Sequence, residues 1–503
     1  TGWAPLVPFA VAGLVVAVHG LSARRGFGGG LLFGVAFMAA LLPWLRVIGV
    51  DAWLALSLLE GLFYGLLGAA TTRVVRLRAW PVWVACCWVG AELLRSLLPW
   101  GGFPWGRLAF ATVGTPLAPS MAWVGTSGTS FLVALLGTTA AWLVLDRPGR
   151  RWSAAGVAVA VGVPLVLAVL PLGAPPAGAG PHVRVAAVQG NVPGEGMEAF
   201  AERRAVLDNH VNATLHFADQ VRAGRTPKPA FVLWPENSTD IDPFTDYGVY
   251  ADIQGAVDAV GVPVLVGAMV EGPGPHDIRN QGIVWKPGTG PAQTYSKIHP
   301  VPFGEYIPMR AELAHLFKRL DQIPRDMVPG TRPGVLDLAG TTIGDVICFE
   351  VAYDGVVQDV VDGGAQLLVV QTNNATYMGT GQVEQQFAIA RLRAIETSRY
   401  VVVVATDGVS GIIAPDGSVV QRAPTRQPVV MDREVGLRTV LTPAVRLSRW
   451  IDWLLGLTGL AAVVVAVLLD RRDRGRRQPR PTDRTDGGPS PVPTTRDPAW
   501  TAS

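Results

Sequence analysis

Apolar runs as long as a bilayer is thick, separated by short polar breaks, fill the first third of the chain. A helix crossing the hydrocarbon core takes about 20 apolar residues. Seven stretches meet that length: 3–21, 28–48, 53–72, 79–98, 120–145, 152–171 and 450–469. Between 181 and 449 the rhythm changes. Short β-branched or apolar runs bounded by turns predict strands at 183–189, 231–234, 262–268, 282–286, 342–348, 367–372 and 400–406. Helical patterns fall between them, near 198–221, 248–260, 354–363 and 382–398. Alternation of this kind predicts an α/β or layered α–β domain.

Composition sharpens this division. The chain is 49% hydrophobic and only 16% charged, against roughly a quarter charged in a soluble domain. The deficit is local, because 1–172 and 450–469 are nearly free of acids while 181–449 has an ordinary balance. The expected units are therefore a membrane region at 1–172, a Gly/Pro linker at 173–181, a catalytic domain at 182–449, a last membrane helix at 450–469 and a disordered tail at 470–503. Arginines cluster in alternate loops: Arg24 and Arg25; Arg73, Arg76 and Arg78; Arg147, Arg150 and Arg151; and Arg471 to Arg477. The positive-inside rule places those loops in the cytoplasm and the 182–449 domain outside. The same parity puts Thr1 outside, which one further helix upstream would repair. Glu92 and Arg95 sit within a span, where charges pair or line a cavity. The segment from Pro99 to Trp105 is either an interfacial aromatic loop with a role or a plain aromatic belt.

Three residues of the soluble part stand at strand ends, where rigid scaffolds present reactive groups. Glu236 follows Phe-Val-Leu-Trp-Pro, Lys297 follows Gln-Thr-Tyr-Ser, and Cys348 follows Ile-Gly-Asp-Val-Ile. A thiol attacks as thiolate and needs a base or a cation nearby. Glu236 can take the proton, and Lys297 can face the oxyanion of a tetrahedral intermediate. Each also has a plain reading: a buried small hydrophobe, a helix start, a solvated lysine. A lone soluble cysteine allows no disulfide framework. The histidines lack metal-ligand spacing and no phosphate-binding glycine loop occurs, so no metal, no organic cofactor and no nucleic-acid partner are expected.

The strings around these residues change the weighting. Leu-Trp-Pro-Glu236, Tyr-Ser-Lys297-Ile-His-Pro-Val-Pro-Phe-Gly-Glu305 and Ile-Cys348-Phe-Glu350 resemble the ordered motifs of the nitrilase (carbon–nitrogen hydrolase) superfamily. Joined to flanking membrane helices, they resemble the apolipoprotein N-acyltransferase family. The resemblance implies a polytopic α-helical membrane domain plus an αββα sandwich outside the cytoplasmic membrane. It implies Cys348 as a nucleophile that becomes a thioester, Glu236 as general base and Lys297 as oxyanion stabiliser. Glu305 and Glu350 match supporting acids, and Gln385 to Glu396 match a following helix. Where many members have Asn-Asp-Ala-Trp-Phe-Gly, this chain reads Asn373-Asn374-Ala375-Thr376-Tyr377-Met378-Gly379. Tyr377 is expected to replace the missing Trp, and Asn374 and Phe303 to join it in holding substrate.

The activity so implied moves the sn-1 acyl chain of a phospholipid to the α-amino group of an S-diacylglyceryl cysteine on a lipoprotein, in a monomer. A membrane-tethered amidase using water as acceptor is the alternative from the same triad, and a non-enzymatic scaffold is a third reading that the intact triad disfavours. Residues 303–330 mix Phe303, Tyr306, Ile307, Met309, Leu313 and Leu316 with polar residues. They suggest either a membrane-facing arm or an ordinary surface helix.

Overall fold

Most of the long apolar stretches are helices in the computed structural model. It describes residues 4–146, scattered positions between 156 and 170, and 180–194, 203–313, 320–321 and 323–477, the last four by backbone alone. The helices are α1 (Val7–Val18), α2 (Ala23–Leu41), α3 (Val50–Val74), α4 (Trp80–Leu97), α5 (Met121–Leu145) and, after the soluble domain, the long final helix (Pro443–Arg477). Three helical stretches, Val50–Val74, Ala118–Leu145 and Pro443–Asp473, are each long and apolar enough to cross a membrane. Glycine lets α2 and α3 meet backbone to backbone: a Cβ on Gly30 would lie 2.1 Å from the Tyr64 carbonyl oxygen. The final helix leaves Trp450, Trp453, Leu454, Leu457 and Leu460 exposed. An uncovered apolar face of that size fits lipid rather than water.

Three spans differ from expectation, and the first, expected at 3–21, is a shorter apolar helical stretch, Ala4–Val18. The helix expected at 28–48 starts at Ala23, because the Ser22 hydroxyl accepts from the Arg25 N–H (3.5 Å) and caps it. Arg24 and Arg25 thus belong to its first turn rather than to a loop. It ends at Leu41, and Pro43–Val47 continue as a 3₁₀ turn. The last helix outruns 450–469 at both ends and takes 470–477 out of the expected disordered tail. Most of the expected sixth span at 152–171, most of the linker and the rest of the tail lie outside the described residues.

The soluble domain is two sheets face to face. The first has the order β13 (Val429–Gly436), β1 (His182–Gln189), β2 (Phe231–Leu233), β3 (Val264–Glu271), β4 (Asp277–Lys286) and β5 (Gly290–Ser296), with β6 (Asp326–Met327) beside β4. The second runs β12 (Val419–Arg422), β11 (Gly411–Ile413), β10 (Val401–Ala405), β9 (Leu367–Thr372), β8 (Thr341–Ile347) and β7 (Val335–Leu338). Val185, Leu233, Leu265 and Val284 meet Ile343, Ile347, Val369 and Val402 between them. Helices α6 (Arg203–Arg222) and α7 (Tyr247–Val260) cover the first sheet, while α8 (Asp354–Asp362) and α9 (Gly381–Thr397) cover the second. This is the αββα layering. The strands absent from the sequence reading, β5, β6, β7 and β11 to β13, are short or half polar. β13 shows why: Arg433 and Glu434 are exposed although the strand pairs with β1 from Gly436 to Val429.

Helices α8 and α9 do not face water. Their outer side meets the membrane helices through a seam of aromatic rings and ion pairs. Phe349 stacks on Phe103 (5.6 Å) and Trp105 (5.8 Å) from the loop after α4. The Trp44 and Trp105 indoles both donate to Gln385 Oε1, at 3.2 and 2.7 Å. Asp354 accepts from Arg107 (2.5 Å), Arg393 (2.7 Å) and Thr126 (2.9 Å). The Pro99–Trp105 segment is therefore a docking element and not only a belt. On the membrane side of the seam Glu92 pairs with Arg107 (3.5 Å), and Arg95 pairs with Glu60 (3.2 Å) inside the helices. At the far end of the helices Asp470 accepts from Arg73 and Arg76.

Candidate active site

The three strand-end residues converge in one buried pocket of charge. Glu236 lies two residues beyond Trp234 at the end of β2. It is held there because Gly267 of β3 lets the chain pass: a Cβ on Gly267 would lie 2.1 Å from the Pro235 oxygen and 2.8 Å from Glu236 Cα. Lys297 directly follows β5, and its backbone N–H donates to the Asn280 carbonyl of β4 (2.9 Å). Its ammonium donates to Glu236 Oε1 (3.0 Å) and to Glu305 Oε1 (2.6 Å). Asn280 Nδ2 also donates to Glu236 Oε1 (2.7 Å), and the Asn373 N–H donates to Oε2 (2.8 Å). The carboxylate is thus fixed by donors on both oxygens.

Cys348 sits where β8 turns into the 3₁₀ turn Cys348–Ala352, with φ +55°. A non-glycine residue in that left-handed region is strained, and such strain recurs where a side chain is aimed for a purpose. Glu350 ties the turn to the lysine loop. Its Oε1 accepts from the Ile298 (2.6 Å) and His299 (3.1 Å) N–H groups, its Oε2 accepts from Ile347 N–H (2.8 Å), and the Tyr295 hydroxyl donates to both oxygens at 2.9 Å. One carboxylate therefore sets the spacing between the peptide before Cys348 and the peptides after Lys297.

The charges have clear physical causes. Burial opposes the Lys297 charge, but Glu236 and Glu305 outweigh it and hold the ammonium well above the ordinary lysine range. Burial raises Glu305, with Lys297 working against it. Burial and then the Glu236 carboxylate push the Cys348 thiol up to about 12, and Lys297 opposes them without prevailing. The resting sulfur is therefore a neutral thiol beside an ion pair, and a sulfur attacking from that state would have to shed its proton as it does so.

The other expected residues are placed as follows. Tyr377 packs edge-on against Trp44 (5.2 Å), and burial and then the Cys348 sulfur raise its hydroxyl above the ordinary tyrosine value. Phe303, at φ +59°, meets Trp100 edge-on at 5.3 Å. Asn374 differs from expectation. It is buried, its Nδ2 donates to Gln382 (3.0 Å) and Gln386 (2.9 Å), and its Oδ1 accepts from Thr372. Both ends of that amide are engaged inside the protein rather than offered to a substrate. Among the described residues of the proposed 303–330 arm are one helical turn, Arg310–Leu313, and the short strand β6, while Leu316 is outside the described residues. Sequence reasoning missed Asn280, Tyr295 and Thr372, and it singled out the Pro99–Trp105 loop without its docking partner. Only the dock carried a signal, the density of aromatic residues between Trp100 and Trp105.

Comparison with known proteins follows the same division of the chain. Residues 1–139 match the apolipoprotein N-acyltransferase N-terminal domain and 184–449 match the carbon-nitrogen hydrolase family. An apolipoprotein N-acyltransferase of Mycolicibacterium smegmatis is 41% identical over 491 residues, covering 94% of this chain and 82% of that protein. One of Gloeobacter violaceus is 28% identical over 504 residues, covering 95% and 92%. Among solved structures, an amidase from Nesterenkonia sp. AN1 bound to acrylamide matches 52% of this chain and 93% of its own, at 18% identity and a TM-score of 0.38.

Proposed function

The chain belongs to the apolipoprotein N-acyltransferase family, and from that premise we propose that it N-acylates lipoproteins at a membrane through a thioester on Cys348. The observation that carries this reading is the seam: Phe349, the residue next to the thiol, is stacked on Phe103 and Trp105 of the membrane region. A site opening there receives acyl chains without lifting them into water, which costs about 0.8 kcal/mol per methylene.

The donor is a phospholipid ester. Cys348 Sγ attacks the acyl carbonyl carbon as Glu236 takes the thiol proton. Lys297 has three N–H groups, two engaged by Glu236 and Glu305, and the third faces the oxyanion. Collapse expels the glycerol oxygen, which takes the proton from Glu236 and leaves as lysophospholipid. The thioester next meets the α-amino group of an N-terminal S-diacylglyceryl cysteine. Glu236 takes a proton from the attacking nitrogen and returns it to the departing sulfur as the amide forms. Glu350 touches no reacting atom and acts as a positioning residue. Tyr377 and Phe303, at the seam, border the acyl path. The arginine-rich Arg73–Asp470–Arg76 cluster at the far end of the helices supports a cytoplasmic position for that end, and with it a 182–449 domain on the extracytoplasmic face of the cytoplasmic membrane, in an enzyme taken to act as a monomer.

Intact-mass analysis of protein purified from membranes tests this. A fatty acyl mass on Cys348 that hydroxylamine removes, and that Cys348→Ala lacks, is the expected result. With phospholipid alone the acyl-enzyme should persist until an amine arrives. Rapid release of free fatty acid instead would favour the amidase-like alternative, and absence of any acyl mass would refute the thioester.

A further inference from the structure

Beside the thiol lies a closed ring of polar side chains that the reaction above does not use. Thr372, at the end of β9, is buried, as are Asn374, Gln382 and Gln386. Gln386 Nε2 donates to Thr372 Oγ1 at 2.9 Å, and the Thr372 hydroxyl donates to Asn374 Oδ1. Asn374 Nδ2 donates onward to Gln382 and Gln386, and Gln382 Nε2 donates to Gln386 Oε1 at 3.1 Å. The remaining neighbour of Thr372 Oγ1 is Cys348 Sγ, 3.3 Å away, a contact across which the hydroxyl donates only if it gives up Asn374.

A hydroxyl has one hydrogen and two lone pairs. In this ring the hydrogen goes to Asn374 and one lone pair receives Gln386. Turning all three amides over reverses every donor and acceptor, yet the count at Thr372 is unchanged: one hydrogen given, one received, both within the ring. In either sense a lone pair is left toward the sulfur. A thiol can donate to it, whereas a thiolate would face it unfavourably.

We infer that Thr372 accepts the Cys348 S–H hydrogen and holds the resting nucleophile as an oriented, protonated thiol. The inference rests on the reading of Cys348 as nucleophile and adds a positioning residue to it. The groups that also face the sulfur electrostatically are Glu236 after β2, Lys297 after β5, Glu305 in the following loop, and Tyr377 in the turn Ala375–Tyr377. Glu236, Lys297 and Glu305 supply no neutral acceptor, and among the described residues the hydroxyl at hydrogen-bond distance from the sulfur is that of Thr372, so the ring does what the charged groups cannot. Attack then requires the S–H to swing from Thr372 to Glu236, and an empty site stays guarded against stray electrophiles.

The test is alkylation of Cys348 by iodoacetamide in the full-length protein in nanodiscs, followed by mass spectrometry across pH. Thr372→Val removes the acceptor at equal volume. Below the thiol midpoint the rate should rise about three- to tenfold, the equivalent of a midpoint about half to one unit lower. Thr372→Ser should stay within about twofold of the unsubstituted protein, a single hydroxyl acceptor being restored. A slower reaction in Thr372→Val would mean that the hydroxyl donates to a thiolate, and would overturn the inference. Should that variant not fold, the infrared S–H stretch of the unsubstituted protein decides, isolated by difference from Cys348→Ala. A band below that of a free thiol supports the inference, and a band at the free-thiol position defeats it. If Thr372→Val alkylates faster while no acyl-enzyme is ever found, the thiol-holding role stands and the nucleophile assignment falls.

Discussion

Asp354 joins the two halves of the molecule, and replacing it with Asn should loosen both. Its carboxylate accepts from Arg107 of the membrane region and from Arg393 of α9, at 2.5 and 2.7 Å. Both guanidiniums are almost fully buried. Removing one partner of a buried pair costs about 3–5 kcal/mol, because the other charge is left uncompensated. Here each arginine keeps a second carboxylate, Glu396 at 2.5 Å for Arg393 and Glu92 at 3.5 Å for Arg107, so the low end, about 3 kcal/mol, is expected. The titration gives a second route to the magnitude. Burial pushes the Asp354 carboxyl up, but Arg107 and Arg393 outweigh it and bring it from 3.8 to about 2. At 1.36 kcal/mol per pH unit that is roughly 2 kcal/mol. Because the folded value is depressed, this stability is fully present above about pH 4 and is lost as pH falls toward 2. Denaturant unfolding in detergent micelles, followed by the fluorescence of the seam tryptophans, reads both effects. Asp354→Asn should lose about 3 kcal/mol at pH 7, and the gap to the unsubstituted protein should narrow below pH 4. A loss under about 1 kcal/mol, the worth of an exposed pair, or a gap indifferent to pH would refute the reasoning.

Two further substitutions probe the site itself. Glu350→Gln replaces one accepting oxygen with an NH₂ that must face either the Ile347 N–H or the Ile298 and His299 N–H groups. A mismatched buried donor costs about 1–3 kcal/mol, so kcat in a mixed-micelle acylation assay should fall about ten- to hundredfold with KM for phospholipid nearly unchanged; a pure KM effect would show that Glu350 contacts lipid instead. Gly267→Ala puts a methyl 2.1 Å from the Pro235 oxygen, which should cost about 1–3 kcal/mol of stability and displace Glu236, and unaltered turnover with unaltered melting would show that the strand has slack there.

What the sequence disclosed and what it withheld divide along chain distance. Glu236 and Cys348 were legible because each follows a strand whose β-branched run and bounding turn are local features, whereas Lys297 was set at a strand end from the few residues before it, without the rest of β5 being read. Glu305 and Glu350 came with the strings that carry them. The fold class followed from alternating strand and helix patterns, yet β13 was missed because the polar run Asp432–Glu434 interrupts its apolar pattern and its partner β1 lies over 200 positions away. Asn280 was hidden for a different reason: a polar residue inside a strand signals nothing until the opposite carboxylate is known.

The seam was the largest omission, and it bears on how the site works. Periodicity reports that α8 and α9 have buried faces, but not what buries them. Arg107 and Arg393 read singly as a loop cation and a helix-face cation, and only the fold brings them to one carboxylate. Arg393 also donates to the Val351 (2.8 Å) and Ala352 (3.0 Å) carbonyls at the end of the turn that begins with Cys348. The strained φ of Cys348 is thus braced from behind by an arginine that the membrane region holds through Asp354, and from within its own domain by Glu350. Any displacement of the α4–α5 loop would therefore reach the turn that begins with Cys348, and on the proposed reading of that thiol the membrane helices are part of the catalytic geometry rather than an anchor for it.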